Sequence, residues 1–453
     1  MPLDFAGTQK LTQEWYSLYR GIHEILEQNP AITDLVHADL TGGEKKLKRN
    51  VEGVASESIL RMALVQQIEQ LSFRRTIISV DDSQMLRYFC RFYDDPLISY
   101  GKYADLVNMI RPETWKKVNE VIVRFARDKK GFKGKKLRID TTAVESDIHF
   151  PMDSTLLLDS VRVLSRIVRK VQKIDAALAG KWRARLKNAK RLTQELLRGG
   201  KRMHAATRKK KYKHLILAAE RTMAKAREVG ARIEKGEGRI ASVEQAWELK
   251  LRSLEIAHYL PLAEKCVDQA RERVLNGNAV PNEKKIFSIF EPHTELLIRG
   301  KAGKEIEFGH MIEINQIEGG LIADYATHLK RPAEPPLLEQ SVKNHAKVFG
   351  HVPEVCAGDK GFFSKQTVEN LKALGVEKVC VPKKGRRNEE EEKHEKSFWF
   401  KAAQAFRAGI EGTVSVLKRA FGLWRCLREG FDHFESWVAT GVLAHNLVLL
   451  SRR

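Results

Sequence analysis

Cysteine is scarce in this chain, and its few copies are not spaced for metal binding or for a disulfide framework. The 453 residues include five cysteines, and no two of them form a Cys-x-x-Cys pair. An odd number without that spacing argues against a zinc finger and against a set of disulfides. We therefore expect buried free thiols, which is the usual state of unpaired cysteine.

Long apolar runs are missing as well. The longest candidate, residues 437–450, is interrupted by Thr440, Gly441, His445 and Asn446, whereas a membrane-spanning helix needs roughly 18 continuous apolar residues. The N-terminus has neither the basic nor the apolar region of a signal peptide. The sequence thus predicts a cytoplasmic protein. Its 43% hydrophobic content indicates a globular, soluble chain, and its length of 453 residues predicts roughly two to four domains.

Acidic residues are too few to balance the basic ones. The chain has 80 Lys plus Arg against 58 Asp plus Glu, a net charge of +22. Residues 161–240 hold 25 basic and 6 acidic side chains, so this segment carries +19 of that excess. Such a charge favours a polyanionic partner.

The basic segment is also predicted to be helical. It contains no proline between residues 152 and 260, and its apolar residues recur at helical spacings. Gly199, Gly200 and Gly230 are predicted to separate its helices. We interpret residues 155–279 as a basic helical insertion that contacts DNA phosphates, and the alternative is a solvated face on helices that only cover a core. The densest basic stretch includes Arg208, Lys209, Lys210 and Lys211.

The remaining sequence predicts an α/β fold. Residues 1–135 are interpreted as an all-helical N-terminal domain for DNA binding or dimerisation. Residues 136–154 and 280–453 are predicted to form a mixed sheet flanked by helices, so that the insertion follows the first strand. Helices are predicted at residues 12–27, 56–75, 82–93, 112–127, 398–421 and 434–450. Strands are predicted at residues 136–144, 286–290, 306–315, 321–327, 352–357 and 376–381, and an exposed loop at residues 383–396.

Two aspartates have unusual local settings in this pattern. Asp140 lies inside an apolar, β-prone stretch, where a charge needs a partner or a metal ion. Asp359 follows a predicted strand and is flanked by Gly358 and Gly361, which permit the close approach of a ligand. Both positions are typical of a functional carboxylate.

A third carboxylate, Glu411, lies on a predicted helix in a polar stripe with Arg407 and Lys418. Three carboxylates suit two Mg²⁺ ions about 3.5–4 Å apart, which clamp the oxygens of an in-line phosphoryl displacement. The alternative is that each acid acts locally, Asp140 in a cap or pair, Asp359 in a turn and Glu411 with Arg407.

These residues resemble the DDE-class transposases of bacterial insertion sequences, which have an RNase H-like catalytic core. The segment Arg-Ile-Asp-Thr-Thr-Ala-Val-Glu-Ser around Asp140 resembles the first-Asp region, and Gly-Asp-Lys-Gly-Phe around Asp359 resembles the second. Residues 404–418 match the third block, Tyr-x2-Arg-x3-Glu-x6-Lys, except that Gln404 replaces the Tyr. The resemblance covers residues 80–453, although the family's insertion usually lies between the last strand and the Glu helix.

The resemblance implies metal-dependent cleavage and strand transfer at the ends of an insertion sequence. It implies two Mg²⁺ ions, or Mn²⁺ as a substitute. One ion, held by Asp140 and Asp359, would activate water and later a DNA 3′-hydroxyl, and the other, held by Asp140 and Glu411, would stabilise the leaving oxygen. The implied partners are double-stranded DNA with terminal inverted repeats, target DNA and a second copy in a synaptic homodimer, in the bacterial cytoplasm at the nucleoid. DNA phosphates would be held by Arg407, Lys418 and Lys360.

Two other functions stay open on the sequence. An RNase H-like nuclease would cut DNA without joining strands, and a basic helical protein with a degenerate site would bind DNA without cutting it. All three carboxylates are present, which argues against the second alternative.

Overall fold

The chain divides into two units, Met1–Asp147 with Gly309–Arg453, and Ile148–Phe308. The structure is a computed structural model that describes residues 7–42, 50–51, 54–238, 241–301 and 304–453. We refer to the two parts as the first unit and the second unit.

The N-terminal part of the first unit is mainly helical. Its elements are α1 (Lys10–Glu27), α2 (Ala31–Leu40), β1 (Asn50–Val51), β2 (Val54–Ala55), α3 (Ser56–Ile68), α4 (Phe73–Asp82), α5 (Gln84–Phe89), α6 (Tyr100–Met109) and α7 (Pro112–Lys129). The first and fourth predicted helices are confirmed, and Pro112 begins α7 because its missing N–H is not needed in the first turn. The expectation of an entirely helical segment is wrong at the short antiparallel pair β1–β2.

Two predicted helices in this part have wrong boundaries. Residues 56–75 form α3 and the start of α4, because Gln70 takes a left-handed conformation at φ 51° and Ser72 caps α4 by accepting a hydrogen bond from the Arg75 N–H. Residues 82–93 form only the short helix α5, capped by Ser83. Arg91 and Tyr93 also have positive φ, which ends the helical path before residue 93.

A mixed sheet forms the centre of the first unit. The strands of the chain after α7 are β3 (Lys136–Glu145), β4 (Glu295–Lys301), β5 (Lys304–Ile317), β6 (Ile322–His328), β7 (Val355–Ala357) and β8 (Lys378–Cys380), of which β4 belongs to the second unit. β3 pairs antiparallel with β5 and parallel with β7. Across the first unit the order is therefore β6-β5-β3-β7-β8, with the last two strands parallel. The predicted α/β class and the mixed sheet flanked by helices are confirmed.

Five further helices complete the first unit. They are α13 (Glu334–Phe349), α14 (Lys365–Ala373), α15 (Glu389–Lys396), α16 (Phe398–Ala420) and α17 (Phe431–Ser451). The prediction of an exposed loop at residues 383–396 is wrong, because Asn388 and Glu391 form a capping box that begins α15. The sequence pattern also missed α13, although Pro335 and Pro336 in its first turn are a helix-start signal.

The polar interruption of the last apolar run has a structural role. Asn446 is fully buried on α17, and its side chain accepts a hydrogen bond from the Ile322 N–H and donates one to the Ile322 carbonyl. It also donates to Asn119 on α7 at 2.9 Å. A buried amide must be satisfied in this way, so Asn446 fixes α17 against β6 and α7.

The second unit contains a helical bundle. Its helices are α8 (Asp153–Ile174), α9 (Ala176–Ala179), α10 (Leu186–Gly199), α11 (Ala205–Glu234) and α12 (Val243–Ala270). The predicted break at Gly199 and Gly200 is confirmed, whereas the break at Gly230 is wrong. Gly230 is buried within α11, and a Cβ atom there would lie 3.3 Å from Ile256, so the glycine permits close helix packing.

The strand predicted at residues 286–290 is also wrong. Ile286 and Ile289 belong to the buried core of the helical bundle, and the Ile286 N–H donates to the Gln269 side chain at 2.9 Å. This short apolar run therefore packs in the core of the helical bundle. Periodicity alone does not distinguish such a segment from a buried strand.

Two expectations about composition can be compared with the structure. All five cysteines are free and buried, as predicted, and burial raises the pKa of Cys266 and of Cys356 to about 12. Within the described parts of the chain, no helix is both long enough and apolar enough to cross a membrane.

Candidate active site

The register of the sheet places Asp140 and Asp359 side by side. β3 and β7 are parallel neighbours, with Arg138 opposite Ala357. Asp140 lies two residues beyond Arg138, and Asp359 lies two residues beyond Ala357, just after the end of β7. Neighbouring strands are about 4.8 Å apart, so the two aspartates stand at the same level on adjacent chain segments.

A single guanidinium group links these aspartates to Glu411. The Nη2 atom of Arg407 lies 3.4 Å from Oδ2 of Asp140 and 4.0 Å from Oδ2 of Asp359. Its Nη1 atom lies 2.9 Å from Oε1 of Glu411, one helical turn further along α16. Asp140 and Glu411, which are 271 residues apart in the sequence, thus meet with Asp359 around the Arg407 guanidinium.

Each carboxylate also has the local environment that the alternative interpretation described. Oδ1 of Asp140 accepts a hydrogen bond from the Thr141 N–H at 2.8 Å, and Oδ1 of Asp359 accepts one from the Gly361 N–H at 2.7 Å. The Asp140 side chain is 17% exposed, that of Asp359 40% and that of Glu411 65%. The site is therefore open to a ligand on the Glu411 side, with Asp140 at its base.

Arg138 positions the helix that carries Glu411. Its buried guanidinium donates to the side chain of Gln316 on β5 and to the backbone carbonyl of Phe406 on α16, and lies 4.7 Å from the centroid of the Phe406 ring. Desolvation lowers the pKa of Arg138. Gly409 permits this contact, because a Cβ atom there would lie 2.4 Å from Nη1 of Arg138.

The comparison with known families agrees with this geometry. The family model of the transposase DDE domain matches residues 315–447. The match contains Asp359, Arg407 and Glu411, whereas Asp140 precedes it. The resemblance to DDE-class transposases is thereby confirmed, and no curated protein and no solved structure matches the chain.

We predict that α16 tolerates alanine at one of its glycines and not at another. Gly409→Ala would force the buried Arg138 guanidinium to move and α16 to shift with it. A displacement of about 1 Å of a catalytic group costs on the order of 10²-fold in rate, so we expect DNA cleavage to slow by roughly that factor.

Gly412→Ala is the matched control, because a Cβ at Gly412 meets no atom within 4 Å. It should retain cleavage and raise stability by about 1 kcal/mol through helix propensity. Cleavage rates and thermal unfolding of both variants check this prediction. Equal activity of the two variants would show that the Arg138 contact does not position Glu411.

The other predicted site residues of the first unit lie at different distances from the carboxylates. Lys360 is exposed and follows Asp359 directly. Lys418 lies two turns beyond Glu411, with its Nζ atom 5.4 Å from the centroid of the half-exposed Trp424 ring. Gln404, at the family's Tyr position, donates to the Cys380 thiol at 3.2 Å. Gln404 therefore ties α16 to β8.

The basic residues predicted to contact DNA lie on α11 in the second unit. Three of the four already have partners, because Arg208 donates to the Gly200 carbonyl, Lys209 to the Leu275 carbonyl and Lys211 to Glu195. Another basic surface of the same unit is a cleft of about 720 Å³ with no acidic residue in its lining. The cleft is lined by Arg183, Ala184, Arg185, Lys187, Asn188, Lys190, Arg191 and Gln194.

A divalent metal ion would suit the donor chemistry of the carboxylate site. Among the described residues, no three acidic, His or Cys side chains are close enough together to enclose a metal ion as they stand. Carboxylate oxygens are nevertheless the ligands that Mg²⁺ prefers, and the Arg407 guanidinium already provides a positive charge between them. The carboxylates of Asp140, Asp359 and Glu411 thus have the chemistry of such an ion's ligands.

The sequence pattern missed one acidic side chain beside this site. Glu334, the first residue of α13, accepts a hydrogen bond from the Thr141 hydroxyl at 3.2 Å. Thr141 follows Asp140 in β3. The adjacent prolines that begin α13 were the only local signal, because the proximity of Glu334 to Asp140 depends on tertiary packing.

Proposed function

We propose that this protein is a DNA transposase that cleaves DNA and transfers strands at the ends of an insertion sequence. The observation that carries the proposal is the meeting of Asp140, Asp359 and Glu411 around the Arg407 guanidinium. Asp359 and Glu411 lie within the residues that match the transposase DDE domain, and such a group of oxygen ligands on rigid strands and a helix favours metal-assisted phosphoryl transfer.

The three carboxylates would hold two Mg²⁺ ions, which supply an activated nucleophile and charge stabilisation at the leaving oxygen. The protein itself would provide position and charge. Arg407 would exchange its carboxylate partners for a DNA phosphate, since a guanidinium binds either anion in the same planar geometry. Lys360 and Lys418 would hold phosphates on either side.

The fold supports an RNase H-like catalytic core, because β3 has an antiparallel neighbour, β5, on one side and a parallel neighbour, β7, on the other. We further propose that residues 1–135 form a domain for DNA binding or dimerisation, and that residues 155–279 form an insertion that holds flanking DNA. The protein would act at the bacterial nucleoid as a homodimer that synapses two terminal inverted repeats.

A strand-transfer assay tests this function against a simple nuclease. The purified protein is given a pre-cut transposon end with its inverted repeat, a supercoiled target plasmid and Mg²⁺ or Mn²⁺. We expect joined products in which the end is covalently attached to the target. Release of cut DNA without any joined product would favour an RNase H-like nuclease, and binding without cutting would favour a catalytically inactive DNA-binding protein.

We predict a steep salt dependence of DNA affinity, to which the basic cleft contributes more than α11. Each lost phosphate contact flattens the plot of log affinity against log salt by about one unit. Arg183→Ala with Arg185→Ala should flatten it by about two units. Replacing Lys209, Lys210 and Lys211 by Ala should have a smaller effect, since two of these lysines already have partners. An unchanged slope in both variants would indicate that the basic residues only form a solvated face of the helices and do not contact DNA.

A further inference from the structure

A fourth carboxylate is connected to the candidate active site through Thr141. Oε1 of Glu334 accepts a hydrogen bond from the Thr141 hydroxyl at 3.2 Å, and the Thr141 N–H donates to Oδ1 of Asp140 at 2.8 Å. Thr141 therefore links the two acidic side chains from one position on β3. Glu334 approaches Thr141 from the start of α13, whereas Asp140, Asp359 and Glu411 lie on β3, after β7 and on α16.

The second oxygen of Glu334 lies against the loop that carries Asp359. A Cβ atom at Gly361 would lie 2.0 Å from Oε2 of Glu334 and 2.9 Å from Oδ1 of Asp359. The two oxygens are thus no farther apart than the sum of these distances. Only glycine leaves this space free, so Gly361 forms a cradle between the two carboxylates.

No positive side chain compensates Glu334 in the part of the chain that the structure describes. Arg407 approaches Asp359 at its other oxygen, Oδ2, and does not pair with Glu334. Two carboxylate oxygens this close repel each other unless a proton or a cation lies between them. The position of Glu334 is nevertheless well fixed, because Leu338 and Val342 of α13 are fully buried and Ser341 donates to Glu313 on β5 at 2.7 Å.

We infer that Glu334 is a fourth carboxylate of the active site, which together with Asp359 and Asp140 would hold a divalent cation. The inference rests on the proposed function, because it enlarges the metal site proposed there. The cation would lie between Oε2 of Glu334 and Oδ1 of Asp359, beside Gly361. The other oxygen of Asp359, Oδ2, would stay with Arg407. Glu334 would add a negative charge to the base of the site, near the least exposed aspartate.

A purely structural role for Glu334 is the competing explanation. A Glu at the first position of a helix is favoured by the helix dipole, and its hydrogen bond with Thr141 could serve only to hold α13. Glu334→Gln separates the two roles, because glutamine keeps an oxygen for Thr141 and a similar size while it removes the charge.

Binding of Mn²⁺ to the full chain without DNA, measured by calorimetry and by electron paramagnetic resonance, tests the inference. We expect Asp359→Asn to abolish tight binding and Glu334→Gln to weaken it by about 10- to 100-fold. The matched control is Glu339→Gln on the same helix, where Glu339 pairs with Lys343 at 2.6 Å; it should bind Mn²⁺ like the unmodified protein.

Gly361→Ala gives a second measurement that retains all four carboxylates. Its Cβ atom would push Glu334 away from Asp359, so Mn²⁺ affinity should fall even though no charge is removed. Unchanged affinity in both Glu334→Gln and Gly361→Ala, with loss in Asp359→Asn, overturns this inference and leaves the proposed function standing. Failure of the unmodified chain to bind Mn²⁺ overturns both.

Discussion

Asp359→Asn is expected to slow Mg²⁺-dependent DNA cleavage by about 10³-fold, the scale on which active sites lose rate when a preorganised charge is removed. Asparagine keeps the size of the side chain and its hydrogen bond with the Gly361 N–H. It lacks the negative charge needed to hold a cation beside Asp140. Asp140→Asn and Glu411→Gln should have the same effect, because these carboxylates and Asp359 lie together around the Arg407 guanidinium.

DNA affinity should be nearly unchanged in these three variants, since the basic surfaces of the second unit are unaltered. Asp147→Asn is a suitable control. Asp147 is 54% exposed, its Oδ1 atom lies 3.9 Å from Nη1 of Arg425, and it is not one of the three carboxylates around Arg407. Gel-based cleavage with a labelled transposon end and a parallel binding assay measure both properties. Full Mg²⁺-dependent cleavage by Asp359→Asn would show that the proposed site is wrong.

The second large effect concerns stability and the N-terminal helices. Arg61 on α3 is fully buried, and its guanidinium lies 2.8 Å from Glu27 and 2.7 Å from Glu57. Arg91 pairs with the same two glutamates. Removal of one partner from a buried ion pair leaves an uncompensated charge and costs roughly 3–5 kcal/mol. We expect Glu57→Gln to lower the free energy of unfolding by about 2 kcal/mol, below that range, because Glu57 is 25% exposed and Glu27 still faces Arg61.

Glu24→Gln on α1 provides the comparison for a surface pair. Glu24 lies 3.1 Å from Arg20, and both side chains are about half exposed, so its loss should cost less than about 1 kcal/mol. Urea unfolding of the two variants, followed by circular dichroism, measures the difference. Equal stability losses would mean that the Arg61 cluster is no stronger than a surface ion pair.

Several parts of the fold were predictable because they depend on local chemistry. The apolar, β-prone stretch around Asp140 predicted β3, and the helix predicted at residues 112–127 is confirmed as α7, which Pro112 begins. The error at Gly230 arose because a tertiary contact overrides the local signal. Gly230 lies within a helix because it packs against Ile256.

The candidate site shows the same division between local and tertiary information. Asp359, Arg407 and Glu411 were recognisable from motifs within the segment that matches the transposase DDE domain. The contact of Arg407 with both aspartates was not predictable, because it depends on the register of β3 with β7 and on the docking of α16. Glu334 had no motif at all, and only the packing of α13 brings it to the cradle at Gly361.

By itself, the sequence determined the kind of chemistry and the kind of partner for which this protein is suited. Residue type fixes which side chains carry charge and where the +19 excess lies, and spacing indicated many of the strands and helices. Only the tertiary structure decided which carboxylates meet and which basic side chains are already engaged. Those outcomes depend on distances of a few ångströms between residues hundreds of positions apart, and only the packed sheet and helices set such distances.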